Sequence, residues 1–396
     1  LIFFIITLVF ILIIFFIWLD FYLGRKHHLQ HTQSITFPLS SAQVQLFQSG
    51  HSLYDDMFRM IQHAKREVNV QIYIVRRDEI SQTFLELLEN KAREGLTVRL
   101  LVDRLGSYRI NRSIRGQLRE AGVQFGFSSK PGFPFLLYRL NRRNHRKIAV
   151  IDGEVAYTGG FNIGQEYINQ DAHFNNWRDY HLKLYGPVAQ NLQQVFKMDW
   201  EEAIEKIEVY HPDLKDENQK VKIMATDGCD IESTFLQFIK GAQQEIIMGS
   251  PYFIPSKTLM SAVKHALEKG VAVKILVPMK ADHPLVKEGG IPYLFELKKA
   301  GADVRLFDQG FYHGKLLLVD DEWCEIGTAN FDRRSLFLNK EVYAILYDKS
   351  FIEFVRRFFM QDFKASIVLS ETWYKQLSWI TRGVKIPLAR LMRRWL

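Results

Sequence analysis

Cysteine is nearly absent. Cys229 and Cys324 are the two thiols in 396 residues. They cannot form a disulfide framework, there is no CxxC or Cys/His zinc spacing, and such scarcity suits a reducing compartment. Acidic residues are outnumbered, 44 against 52 basic, which leaves a net charge of +8. That balance favours anionic partners, nucleic acid or acidic lipid, without choosing between them. Long apolar runs are equally few. After Phe37 none reaches spanning length, which excludes a polytopic membrane protein. The remaining balance, 47% hydrophobic and 24% charged, excludes a disordered or collagen-like chain. At roughly 150 residues per domain the length suggests two or three domains, with enough chain to bury a core unaided.

The one long apolar run comes first. Residues 1–19 read LIFFIITLVFILIIFFIWL, with Thr7 the single polar residue. Nineteen residues at 1.5 Å each span roughly 28 Å, close to one hydrocarbon thickness. The run is too long for a signal-peptide core, and no small-residue cleavage site follows. Trp18 and Tyr22 sit at its boundary, then Arg25, Lys26, His27 and His28. This predicts a single-pass anchor over residues 1–24 in a cell membrane, with the rest of the chain on the cytoplasmic side. The sequence opens at Leu1, so an initiating Met is expected upstream.

The body reads as α/β and is written twice. Helix-period stretches at Leu53–Arg66, Ser81–Glu94 and Ile114–Ala121 lead into apolar strands at Val68–Val75, Thr97–Asp103 and Val123–Phe127. The order returns in Phe235–Pro255, His265–Val277 and Lys298–Phe307. Glycines match after the helices, Gly95 with Gly270 and Gly122 with Gly301. Such self-similarity argues duplication, with halves at 38–204 and 221–366, a charged linker at 205–220 and a basic tail at 367–396.

The chemistry lies in a repeated segment. NHRKIAVIDGEVAYTGGFN and YHGKLLLVDDEWCEIGTAN both contain H-x-K-x4-D: His145, Lys147, Asp152, and His313, Lys315, Asp320. Gly159 and Gly327 follow at one offset, then small residues Gly160 and Thr328, then Asn162 and Asn330. One such motif arises by chance in roughly a few per cent of chains this long. Two copies with matched extensions do not. If HRKIAVID and HGKLLLVD are strands, His and Lys share a face. A His, a Lys and an Asn together can hold a phosphate, and the His can attack it or move a proton. Asp152 and Asp320 fall at odd spacing, so they read as turn or supporting residues within the motif.

The doubled H-x-K-x4-D-x6-G-[GST]-x-N pattern resembles the phospholipase D superfamily over Val44–Lys364. With GGFNIGQEY, NWRDYHLKLYGP, SPYFIP and SLFLNKEVYAILYD it is most similar to short bacterial cardiolipin synthases with one amino-terminal span. The resemblance implies two halves, each a mixed sheet flanked by helices, joined at a pseudo-twofold site. It implies phosphatidyl transfer between two phosphatidylglycerols, giving cardiolipin and glycerol through a phosphohistidine, with no cofactor and no metal. It assigns His145 as nucleophile and His313 as general acid, then base, an order the near-symmetric residues alone leave open. Lys147, Lys315, Asn162 and Asn330 would hold the phosphoryl oxygens. Asp179 and Glu341 would orient the histidines in crossed pairs, Glu341 with His145 and Asp179 with His313.

Two further segments suggest lipid contact. The first half carries an insertion, residues 128–143, whose apolar tip Phe133–Tyr138 precedes Arg139, Arg142 and Arg143. The tail from Trp373 combines Trp379 and Trp395 with Lys375, Arg382, Lys385, Arg390, Arg393 and Arg394, and Pro387 would restart any helix there. Packing inside the protein is the competing reading for both. The expected partners are a membrane and anionic phospholipid, not nucleic acid. A phospholipase D using water or another alcohol, a membrane-attached nuclease and a lipid-binding relic are the alternatives. Oligomeric state cannot be read from these residues.

Overall fold

The computed structural model describes residues 2–171 and 174–393. Leu1 of the apolar run and Arg394, Trp395 and Leu396 of the tail lie outside the described residues. Each half builds one mixed sheet, and the two sheets have the same strand order. From its outer edge the first runs Gln124–Ser128, Thr97–Asp103, Glu67–Ile72, Ile148–Ile151, Val155–Gly159, His181–Tyr185 and Ser40–Phe47. The second runs Asp303–Phe307, Ala272–Pro278, Glu245–Gly249, Leu316–Val319, Trp323–Gly327, Lys340–Leu346 and Gln219–Asp227, with Ile367–Val368 added outside. The three outer strands of each repeat pair in parallel and the rest antiparallel. The parallel strands are buried on both faces, which is why VRLLV and VKILV read as nearly unbroken apolar runs. The sheets meet where Ser40–Phe47 and Gln219–Asp227 pair antiparallel, Val221 opposite Ser40.

The helices fall where the periodicity placed them, shifted by a few residues: Gly50–Gln62, Glu79–Arg93 and Arg112–Glu120 in the first half. Asp78 and Asn111 cap two of them through their side chains. The matched glycines follow the helix ends at positive φ, from 86° at Gly270 to 110° at Gly301, a conformation that a Cβ disfavours. Each half has its own apolar core beneath these helices. A third core joins the halves: Ile148, Val150, Leu182 and Leu184 pack with Leu316, Leu318, Ile326 and Val342, beside Val188–Ala203 and Lys349–Ala365. Burial of this shared core locks the halves into one body.

Three segments depart from the linear reading. The apolar helix runs over Ile2–His31, well past residue 24. It is the one helix among the described residues long and apolar enough to cross a membrane. Its last turns dock on the body because Asp20, Arg25 and His28 find partners there. The insertion is half packed: it forms helix Leu136–Asn141, with Tyr138 buried against Gly24 while Phe133 and Leu137 stay exposed. The 205–220 stretch is a docked strap. Tyr210 donates its N–H to Glu67 Oε1 at 2.9 Å, and strand Gln219–Asp227 has begun before the stretch ends. In the tail, Pro387 stands in the first turn of helix Ile386–Met392, where its missing N–H costs nothing.

Candidate active site

The strands carrying the repeated motif begin later than the alternating pattern suggests, at Ile148 and Leu316. His145 and His313 precede them on extended segments that cross to the other half. The His145 N–H donates to the Lys340 carbonyl at 2.9 Å, and the His313 N–H to the Arg178 carbonyl at 2.7 Å. Each histidine is therefore held by the residue just before an acid of the opposite half. That backbone crossing sets the side chains face to face with those acids. His145 Nδ1 lies 2.9 Å from Glu341 Oε2, and His313 Nδ1 lies 2.5 Å from Asp179 Oδ2. Both acids are fully buried.

The acids are themselves fixed. Glu341 accepts hydrogen bonds from the Thr328 hydroxyl at 2.6 Å and the Ser335 hydroxyl at 2.8 Å. Asp179 accepts the Tyr180 N–H at 2.8 Å. At Gly160, the counterpart of Thr328, a Cβ would lie 2.0 Å from Asp179 Oδ1, so only glycine leaves room there. Burial would raise both carboxyls, but at Asp179 Lys315 and the hydrogen-bonded His313 outweigh it. At Glu341, His145, Lys147 and the Thr328 hydrogen bond do the same. Both acids stay ionised.

Burial pushes the two histidines the other way. His145 falls to about 4, through desolvation and the nearby Lys147 and Lys315 against the opposing pull of Glu341. His313 also falls to about 4, through desolvation and Lys315 against Asp179 and Asp282. At neutral pH both imidazoles are uncharged, and an Nδ1–H facing its acid leaves Nε2 with a free lone pair. Lys147 and Lys315 are buried between these groups, and desolvation lowers them to about 7 and about 8. Lys147 donates to the His145 carbonyl at 2.7 Å, and Lys315 contacts the His313 carbonyl and approaches Asp179 Oδ2 to 3.6 Å. The result is a buried cluster of two neutral rings and two lysines that titrate near neutral pH, suited to an anionic phosphoryl group.

Not every motif residue joins this cluster. Asp152 and Asp320, the acids of the motif, lie outside it at turns. Asp152 accepts the N–H groups of Lys65, Arg66 and Glu67 within 2.9 Å, and Asp320 those of Gln243, Gln244 and Glu245. Each sits at the turn after its motif strand, at φ 51° and 52°, and ties that turn to the start of the neighbouring strand. Asn162 and Asn330 are buried close by but wire the loops: Asn162 reaches Tyr167 and Ile74, Asn330 reaches Asp332. Asn330 Oδ1 is buried without a hydrogen-bond partner.

Several neighbours were not singled out from the sequence. Tyr73 packs edge-on to His145 with ring centroids 4.9 Å apart, and Tyr252 faces His313 at 6.4 Å. Both follow the same strand of the repeat, which is the signal that could have found them. Trp177 lies tilted against His313 with ring centroids 4.9 Å apart, and Tyr252 hydrogen-bonds Asp282. Among the described residues, no group of three or more His, Cys, Asp or Glu is arranged to hold a metal ion.

Comparison with known proteins now has a geometry to meet. The model of the family described as cardiolipin synthase, phospholipase D-like domain, matches residues 57–200 and 235–363, one segment in each half. The chain is 39% identical to the minor cardiolipin synthase ClsB of Bacillus subtilis, over 92% of this chain and 93% of that protein. It is 37% identical to a cardiolipin synthase of Listeria monocytogenes, over 85% of this chain and 72% of that one. The fold is similar to the crystal structure of phosphatidylserine synthase from Haemophilus influenzae, with a TM-score of 0.70 and 17% identity, covering 91% and 97% of the two chains. With the family model on both halves and such relatives along nearly the whole length, the chain belongs to the phospholipase D-like cardiolipin synthase family.

Proposed function

We propose that the protein is a cardiolipin synthase that moves a phosphatidyl group from one phosphatidylglycerol to another. The observation that carries this reading is the crossed arrangement: two buried histidines, each held by a carboxylate of the opposite half, with two buried lysines between them. His145 Nε2 attacks phosphorus, and His313 gives a proton to the departing glycerol oxygen. The P–O bond breaks as the N–P bond forms, so the group waits on His145 as a phosphoramidate. A second phosphatidylglycerol then brings its hydroxyl. His313, now neutral, takes that proton, and the oxygen displaces His145. Entry of an anionic phosphodiester favours the protonated form of His313, which Asp179 already supports. Lys147 and Lys315 neutralise the charge that builds on the equatorial oxygens.

Partner and place follow the same reading. The Ile2–His31 helix spans the bilayer once, with the body on the side of Arg25 and Lys26, the cytoplasm. Exposed Phe133 and Leu137 on the insertion, and Trp379, Ile380, Leu388 and Leu391 on the tail, meet the same leaflet. The tail's basic residues suit anionic headgroups. The test is purified protein in phosphatidylglycerol vesicles with chelator, followed by mass spectrometry. Cardiolipin and free glycerol in equal amounts support the reading. Phosphatidic acid would make the protein a hydrolase, and no lipid turnover would sink it.

A further inference from the structure

The His145 half-site is wired to the apolar helix, and among the described residues the His313 half-site is not. His28, near the end of that helix, places Nε2 3.1 Å from Asp227 Oδ1 and Nδ1 2.6 Å from the Tyr138 hydroxyl. Thr32, just beyond the helix, donates to Asp227 Oδ2 at 2.9 Å, and Arg142 Nε to Oδ1 at 3.0 Å. Asp227 stands directly opposite Lys340 in the sheet register, with Lys340 Nζ at 3.9 Å. Lys340 also reaches Asp199 at 2.8 Å, and Asp199 takes both oxygens' worth of Arg146 Nη1 at 2.8 Å. Arg146 donates from Nε to the Glu341 carbonyl at 3.0 Å. Arg25 contacts the Phe337 carbonyl, so the helix also touches the chain just before Lys340. After the helix, Ile35–Thr36 pairs as a strand with Gln219–Asp227.

Asp227, Lys340, Asp199 and Arg146 are buried and paired with one another, and His28 and Arg142 close the network from its half-buried edge. Burial would raise the Asp227 carboxyl, but Lys340, His28 and Arg142 hold it well below the ordinary range. A network of this kind is rigid, because losing one member leaves the others unpaired in a low dielectric. Its far end is the backbone of His145 and Glu341. At the equivalent position in the other half Arg178 pairs with Asp362 at 3.0 Å, and among the described residues the amino-terminal helix adds no ion pair there.

We propose that His28 and Asp227 are positioning residues for the phosphoryl-transfer site: through Lys340, Asp199 and Arg146 they hold Glu341 against His145. The amino-terminal helix thus does more than attach the protein to a bilayer. This inference rests on the synthase reading and refines it, since it makes nucleophile geometry depend on a docked helix.

The test uses the full chain in phosphatidylglycerol vesicles, comparing His28→Ala and Asp227→Asn with the exposed control Gln30→Ala. His28→Ala is expected to lower kcat several-fold and Asp227→Asn about tenfold or more, with KM within twofold and the control unchanged. Hydrogen exchange should quicken over 337–345 in His28→Ala and stay as in the parent over 178–184. His28→Ala is the milder variant and guards against simple unfolding of Asp227→Asn. Unchanged kcat in a folded His28→Ala protein overturns the inference, as does a rise in KM alone, which would mean that the helix acts only on lipid supply. An inactive parent protein would instead count against the synthase reading, and the exchange pattern would still decide whether the helix holds the 337–345 segment.

Discussion

The two half-sites share a plan and differ in their packing. Around His145 the orienting acid is the longer Glu341, steadied by the hydroxyls of Thr328 and Ser335. Around His313 it is the shorter Asp179, reached across the space that Gly160 leaves empty. Both rings are pushed down to about 4, chiefly by burial, with Glu341 opposing at His145 and Asp179 and Asp282 opposing at His313. A duplicated fold supplies two equivalent histidines, and the proposed mechanism uses these unequal surroundings to give them different tasks. In the proposed mechanism the ring held by hydroxyl-braced Glu341 keeps a fixed line of attack and the other ring moves the proton.

The comparison breaks most sharply at the histidines. His145→Ala and His313→Ala should each lower cardiolipin formation by about 10⁴-fold or more, as loss of a nucleophile or its partner does. The two should separate with a phosphatidyl ester of an acidic alcohol such as p-nitrophenol. That leaving group needs no proton, so His313→Ala should regain release of nitrophenol while His145→Ala should not. Equal rescue of both would end the division of roles.

Gly160→Ala comes next. A Cβ there meets Asp179, so the His313 half-site must shift, with an expected loss of about 10² in kcat as a misplaced catalytic group brings. The reciprocal change Thr328→Val keeps the volume and removes one hydrogen bond to Glu341, for an expected loss of only about 3- to 10-fold. Steady-state rates of the pair measure how unequal the two acids are. If Thr328→Val were the more damaging, the packing comparison would be wrong.

The gentlest prediction concerns pH. Lys147 and Lys315 are lowered to about 7 and about 8, chiefly by burial, and the proposed transfer uses both as ammonium ions. Each loses its charge as pH rises through its own value, so kcat/KM should fall between pH 7 and 8. A bound phosphodiester favours the ammonium, so the corresponding limb of kcat should lie higher. A kcat/KM flat to pH 9 would contradict the placement of these lysines on the phosphoryl group.

The parts of this account legible in the sequence were those carried by repetition. Matched glycines marked the helix ends, and paired H-x-K segments marked the lines that cross between halves. What the pattern could not give was direction. His145 and Lys147 lie before their strand, so alternation along a strand does not decide where they point, while Asp152 stands at the turn beyond it and serves three backbone amides. Partners far apart in the chain were hidden for another reason. His28 with Asp227, and Lys340 with Asp199, are ordinary charged residues until folding removes them from water. Nothing local distinguishes them from solvated neighbours. The seam strand Ser40–Phe47 was equally silent, since it pairs with a strand of each half rather than with its sequence neighbour.

The most direct test is to trap the intermediate. Protein mixed with phosphatidylglycerol labelled with ³²P, quenched in alkali and digested, should carry the label on the peptide containing His145. Label on the His313 peptide would reverse the roles drawn from the two half-sites, and no labelled histidine at all would contradict covalent transfer.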